Sequence, residues 1–399
     1  MRILLLTQRL PYAPNRGDRI RAHHLLRVLS QRHQVDVVSL VHSAEEASHA
    51  QEMRSLVNSV TMLRASRLRG LARSVGHLAR SRPLTHALLD ASGARQTIAR
   101  LVARHPPDVV VAGGTGVAQF ALDGPLSQYP LILDMVDVDS EKWRALAKAS
   151  WPPWCWVYRR EATVLGRFEA TVARRAYATL VTTPRERDLL CRAVHDVRVY
   201  AVPNGIDAPY FRPVSSPAEA PVIVFCGVMN YEPNVAGAEW LVKHVWPKIR
   251  SQRAAAELLI VGSDPSARVQ WLARTPGVTV TGRVADVRPY LWHAAVAVAP
   301  LAVARGVQNK VLEAVAAGLP VVVTPAVAEG LPAEALTACR IGADADAFAR
   351  HVLDLLHDTS RMRRAMARSV PIDELSWPAR LGPVHRILDE ALSLQGQIL

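Results

Sequence analysis

Short apolar runs alternate along the chain with longer stretches of helical periodicity. Arg2–Leu6 is the first such run and predicts a buried strand. After the turn-rich Pro11-Tyr-Ala-Pro-Asn-Arg-Gly17, residues 18–30 place Ile20, His24 and Val28 one helical face apart, which predicts an amphipathic helix. Val35–Val41, Asp108–Val111, Leu131–Leu133 and Thr179–Thr182 repeat the strand signal, with helical patterns between them. The rhythm restarts after Val202 with Val222–Phe225, Leu258–Val261, Val278–Thr281, Ala295–Ala299 and Val321–Thr324. These later runs are uncharged and rich in β-branched residues, as expected of parallel strands covered on both faces. Alternating βα units over 399 residues predict an α/β protein with two doubly wound, Rossmann-like sheets. Around Val199–Ser216, Pro203, Asn204, Gly205, Pro209, Pro213 and Pro217 mark the junction. The expected organisation is a first domain over 1–200, a second over 201–376, and a closing helix over 377–399 that crosses back onto the first domain. Ligands of such sheets sit beyond the carboxyl ends of the strands, so two sheets facing across a cleft can bury two substrates together.

Composition narrows the class. The chain is 50% hydrophobic and 21% charged, with mean hydropathy +0.08, too apolar for a disordered protein. Its net charge of +13 is unevenly placed: residues 1–200 carry 29 Lys and Arg against 17 Asp and Glu, the remainder 19 against 18. Only five of the 48 cations are lysine, so part of the excess reflects an arginine-rich composition. The four cysteines, Cys155, Cys191, Cys226 and Cys339, are scattered without a C-x-x-C pair, which excludes a disulfide scaffold and a zinc site of familiar spacing. The apolar start is too short for a secretory core, and no stretch approaches the roughly 20 apolar residues that span a bilayer. The expectation is a cytoplasmic protein in peripheral contact with the inner face of the membrane.

The most informative segment runs Pro300-Leu-Ala-Val-Ala-Arg305-Gly-Val-Gln-Asn-Lys310-Val-Leu-Glu313-Ala-Val-Ala-Ala-Gly318-Leu-Pro320. It reads as strand end, loop, helix, glycine stop and the opening of the next strand. Gly306 lets the backbone approach a ligand, and a helix starting near Gln308 presents unpaired N–H groups at its positive end. Lys310 and Glu313 are three apart and share a helix face. A carboxylate there can accept both hydroxyls of a ribose while the ammonium meets a phosphate; alternatively the two form an ordinary surface pair.

This segment resembles the donor-nucleotide segment of the family 4 retaining glycosyltransferases of the GT-B fold, whose hallmark is Glu-x7-Glu followed by Ala-x-Ala-x-Gly-x-Pro-Val-Val. Val202-Pro-Asn-Gly-Ile-Asp207, followed by Tyr210-Phe211-x-Pro213, is similar to that family's domain-junction motif. Leu259-Ile-Val-Gly262 and Val280-Thr-Gly282-x-Val284-x-Asp286-Val-Arg-Pro-Tyr290 resemble its second-domain strand and loop, and Pro11–Gly17 with Asp18-Arg-Ile-Arg21 its first-domain glycine loop. Arg305-Gly-x-Gln-Asn-Lys-Val-Leu-Glu313 and Asp137-Val-Asp-Ser-Glu-Lys-Trp143 are most similar to sugar transferases of PEP-CTERM/exosortase exopolysaccharide systems. The resemblance implies a nucleotide-diphosphate sugar as donor, a glycan or lipid-linked acceptor, and no bound metal or other cofactor. It places Lys310 and Glu313 in catalysis, where Arg305 is expected to join them, and Gly227, Asn230, Gly262, Gly306, Gln308 and Asn309 with Lys310 and Glu313 on the donor. Gly17, Asp18, Arg21, Asp137 and Asp139 fall on the acceptor side.

Two departures bear on that assignment. Arg305 stands eight residues before Glu313, where the family has its first Glu, and the stretch Gly227–Asn234 lacks the family's diphosphate-holding cations. A buried diphosphate needs counter-charge, so Arg305 and Lys310 are expected to supply it; alternatively, Arg305 forms a salt bridge within its own loop. Val136 stands where the family often has His, leaving Asp134, Asp137 and Asp139 to position acceptor hydroxyls; equally, Asp139 or Ser140 caps the following helix.

Residues 53–89 contain no acid, and Leu68, Leu71, Val75 and Leu78 oppose Arg69, Arg73, His77 and Arg80 on a helical wheel. That basic amphipathic stretch, over 64–82, and the aromatic segment 151–160 are candidate contacts with an anionic membrane surface; a core-packed helix and an aromatic cluster at a domain interface are the alternatives. Two rival functions remain: a nucleotide-sugar 2-epimerase, and a nucleic-acid-binding protein suggested by pI ≈ 10.2. The second finds no recognition motif, and no nucleic acid is expected.

Overall fold

A computed structural model describes residues 1–13, 17–65, 82–89, 91–213, 220–304 and 306–395. The chain divides into two compact units, one formed by Met1–Pro203 with Leu381–Leu399, the other by Asn204–Arg380.

The first unit is a seven-stranded parallel sheet in the order β3-β2-β1-β4-β5-β6-β7. Its strands are β1 Arg2–Thr7, β2 Gln34–Val41, β3 Ser59–Arg64, β4 Val109–Gly113, β5 Leu131–Val136, β6 Ala178–Val181 and β7 Val199–Ala201. β1, β2 and β4 are buried almost throughout, because helices cover both faces. The two carboxylates inside these strands are each met by an arginine: Asp36 by Arg2 at 3.4 Å, Asp134 by Arg21 at 2.8 Å. The Pro383–Gln395 helix completes this unit, with His385 Nδ1 3.0 Å from His33 Nε2. The closing helix expected from Trp377 is split: Trp377–Leu381 forms a separate short helix, and Pro383 starts the next.

The second unit is a six-stranded parallel sheet in the order β10-β9-β8-β11-β12-β13. It comprises β8 Val222–Cys226, β9 Glu257–Val261, β10 Val278–Gly282, β11 Val296–Ala299, β12 Val321–Val323 and β13 Cys339–Ile341. Its core runs from Val222–Phe225 through Trp246, Ile260 and Val296–Ala299 to Phe348. Gly205 lies in this unit, packed so closely that a Cβ on it would stand 2.5 Å from the backbone nitrogen of Trp377. Beside it, Ile206 forms an isolated parallel bridge with Ser376.

Both sheets reverse strand order once, between β1 and β4 in the first unit and between β8 and β11 in the second. Such switch points open a crevice at the carboxyl edge where ligands bind. They fix where functional side chains belong.

Candidate active site

In the second unit two segments converge on the switch point: the loop leaving β8 and the helix following β11. That helix spans Asn309–Ala316, with Gln308 at its N-cap position making no side-chain cap bond. Gly318 ends it in the left-handed region at φ 81°, where the amide of Leu319 donates to the carbonyl of Ala314. Lys310 and Glu313 fall on its half-buried face, one turn apart.

Lys310 Nζ donates to Asn234 Oδ1 at 2.6 Å and lies 5.1 Å from the centre of the Phe225 ring. Asn234 is buried near the start of the Glu232–Trp240 helix, and its Nδ2 donates to the carbonyl of Val228 at 2.9 Å. That bond fixes the amide so that its oxygen faces the ammonium. Gly227 is required here, because a Cβ would stand 2.8 Å from Asn234 Nδ2. Gly262 is required for a different reason: its Cβ would fall 1.6 Å from the carbonyl oxygen of Gly227. The exits of β8 and β9 therefore touch backbone to backbone, and the amide of Gly227 donates to Val261 at 3.0 Å.

Burial dominates the electrostatics. It pushes the Lys310 ammonium down to about 8, against the opposing pull of Cys226 and Glu313. It pushes the Glu313 carboxyl up to about 7, with Lys310 opposing. The Cys226 thiol is pushed up to about 12 by burial, with Glu313 adding to the rise. Lys310 thus remains a cation near neutrality, and Glu313 titrates there. A cation and a carboxylate stand one turn apart in the first turns of a helix beside the switch point.

The remaining expected donor residues surround this pair unequally. Asn309 Oδ1 accepts from Asn204 Nδ2 at 3.4 Å, which brings the junction motif beside the helix start. Gly306 has φ 61°, and its carbonyl oxygen would be 2.4 Å from a Cβ on Gly330. Asn230 is exposed on the β8 loop. Arg305 lies outside the described residues. The Asp286–Arg288 part of the second-domain loop supports the scaffold: Arg288 pairs with Asp286 and stacks on Tyr210 at 4.0 Å, and Trp292 Nε1 donates to the carbonyl of Phe211 at 2.8 Å.

In the first unit Gly17 and Asp18 open the Gly17–Ser30 helix. Arg21 lies within the structure and not at a surface: its Nε donates to both oxygens of Asp134 at 2.9 Å, and its Nη1 to the carbonyl of Val202 at 2.9 Å. Asp137 Oδ1 accepts from Thr182 Oγ1 at 2.9 Å, and half-buried Asp139 begins the Asp139–Ala149 helix. The capping alternative is corrected in its details. Neither Asp139 nor Ser140 takes the N-cap position, which Val138 holds without a side-chain bond. Glu186 accepts from the amide of Val138 at 2.7 Å, and Glu169 from that of Ser140 at 3.0 Å. Burial pushes the Glu169 carboxyl up to about 7. Val136, next to Asp137, holds φ 71°, a conformation β-branched residues avoid. This strained residue ends β5 at the sheet's carboxyl edge.

Asn234 and the glycines at the end of β4 are further residues of these two sheet edges that the sequence pattern does not single out. Gly114 and Gly116 begin the turn beside β1, where a Cβ on either would lie 2.2 Å from Gln8 Nε2 or Leu89 Cδ1. The available signal was the run Gly113-Gly-Thr-Gly116 following a strand.

Residues 220–358, all within the second unit, match the family model of group 1 glycosyltransferases. No curated protein sequence matches the chain. Among solved structures, Anabaena HepE in complex with UDP and glucose is 13% identical, with 97% of this chain and 99% of that chain aligned at TM-score 0.64. A variant of S. aureus TarM in complex with fondaparinux, alpha-GlcNAc-glycerol and UDP is 8% identical over 97% and 99%, at TM-score 0.67. A Listeria monocytogenes protein described as a UDP-N-acetylglucosamine 2-epimerase is 12% identical over 95% and 92%, at TM-score 0.53. These likenesses establish the fold as two Rossmann-like α/β domains matching GT-B structures.

Proposed function

We propose that the protein is a retaining, metal-independent glycosyltransferase of the family 4 type. It moves a sugar from a nucleotide-diphosphate donor to a lipid-linked glycan acceptor in exopolysaccharide or cell-envelope polysaccharide synthesis, in the manner of the PEP-CTERM-associated transferases. The observation that carries this reading is the Lys310–Glu313 pair at the second unit's switch point, inside the group 1 domain. Glu313 accepts the two ribose hydroxyls. Lys310, with Arg305 and the helix N-terminus, meets the diphosphate. As the bond from the sugar's C1 to the diphosphate oxygen breaks, negative charge grows on the leaving group, where preorganised cations are most effective. The acceptor oxygen joins C1 on the same face, and its proton passes to the departing phosphate. Asp137 and Asp139 orient the acceptor.

Thermal-shift screening with UDP, GDP and their sugars, followed by product mass, tests the reading. Stabilisation by a nucleoside diphosphate and a product heavier by one sugar are expected. Conversion of the donor to its epimer without an acceptor would instead establish the 2-epimerase reading, and stabilisation by duplex nucleic acid alone would overturn both.

A pH dependence follows from the site. Binding needs Glu313 ionised, to accept hydroxyl protons, and Lys310 protonated. With Glu313 near 7 and Lys310 near 8 in the free protein, affinity for UDP is expected to peak between those values. It falls on the acid side as Glu313 gains a proton and on the alkaline side as Lys310 loses one. Calorimetric titration of UDP across this range checks it, and Glu313→Gln should remove the acid limb.

A further inference from the structure

The Asp139–Ala149 and Trp154–Arg175 helices form a hairpin in the first unit. Its base is fixed at the carboxyl edge of the sheet, where Glu169 accepts from the amide of Ser140. Halfway along, Trp143 packs on Tyr158 with ring centres 5.5 Å apart, so the helices run antiparallel. Eleven residues of helix rise about 16 Å, which carries the turn at residues 150–153 well beyond the strand ends. That turn and the first helical residues after it bear Trp151, Trp154 and Trp156, which are 87%, 60% and 63% exposed. Single exposed apolar residues are ordinary, but three tryptophans within six residues at the tip of a projecting hairpin are not.

Charge around the tip is of one sign. From Lys142 to Arg160 the chain holds five cations and no acid. Arg144 is paired with Glu141 and Arg160 with Glu161, whereas Lys142, Lys148 and Arg159 sit exposed along the hairpin beside Leu146. Indole rings prefer the water–lipid boundary, and cations beside them meet anionic headgroups.

We propose that this hairpin tip docks the protein on an anionic lipid bilayer, with Trp151, Trp154 and Trp156 entering the headgroup region and Lys148 and Arg159 holding its phosphates. The surface suits an acceptor anchored in the bilayer. In that respect the inference rests on the lipid-linked reading above, but donor binding is measured separately from docking.

The test is co-sedimentation of the full chain with vesicles of phosphatidylcholine alone or of equal parts phosphatidylcholine and phosphatidylglycerol. Binding to the anionic vesicles is expected, with a blue shift of tryptophan emission. Trp151→Ser with Trp154→Ser should lower the partition about tenfold, and Lys148→Glu with Arg159→Glu should abolish the preference for anionic lipid. Trp271→Ser serves as the control, because Trp271 is 62% exposed in the second unit with Arg274 over its ring. Its partition should stay unchanged. UDP-induced thermal stabilisation should persist in the tip variants; its absence from the parent protein would count against the transferase alone. Equal binding to neutral vesicles, a tip variant that partitions like the parent, or self-association dissolved by the tip substitutions would overturn the proposal.

Discussion

Replacing Lys310 with alanine is expected to lower kcat/KM for nucleotide-sugar turnover by about 10²–10³-fold, roughly 3–4 kcal/mol of transition-state stabilisation. The ammonium is held in advance by Asn234 Oδ1 and the Phe225 ring, so little reorganisation is needed as charge grows on the leaving diphosphate. An interaction that strengthens in the transition state is lost mainly from kcat, with a smaller change in KM. Binding offers a second readout. UDP should lose more affinity than UMP, because only the diphosphate brings the terminal phosphate to the cation; equal losses would show that Lys310 does not read that phosphate. Asn234→Asp probes the same geometry from the other side. A carboxylate against Lys310 favours the charged amine and moves the alkaline limb of the pH profile upward, while its own charge weakens diphosphate binding.

Most of the fold is legible in the sequence, and its gaps have physical causes. Central strands such as β1, β8 and β11 are covered on both faces, so selection for burial leaves unbroken apolar runs. The three strands without a clear apolar run, β3, β7 and β13, are edge strands. β3 is covered on one side, with Met62 exposed, and lies in the acid-free stretch. β7 and β13 have three residues each and little burial. The basic helix expected within 64–82 lies outside the described residues over 66–81. At the site, Lys310 and Glu313 are legible because helical spacing is local. Asn234 is not, because its partner is 76 residues away and the need for Gly227 beside it exists only after folding. Asp139 and Ser140 look like caps for a local reason too, yet the carboxylates that satisfy that helix come from Glu169 and Glu186.

Arg21 shows how a motif residue can serve the scaffold. Its partner Asp134 is 113 residues away, and both side chains are almost fully buried. Arg21→Met is therefore expected to destabilise the first unit by about 3–5 kcal/mol, because it strands a buried carboxylate without its counter-charge and leaves the carbonyl of Val202 short of a donor. In a unit of roughly two hundred residues that corresponds to a fall in melting temperature of about 6–20 °C, read by calorimetry as movement of one transition. Adding Asp134→Leu should recover much of the loss, since removing both charges is far less costly than removing one. A substrate-binding Arg21 would behave in the opposite way. Arg21→Met would then melt like the parent and fail only in transfer, and Asp134→Leu would rescue nothing. That result would return Arg21 to the acceptor.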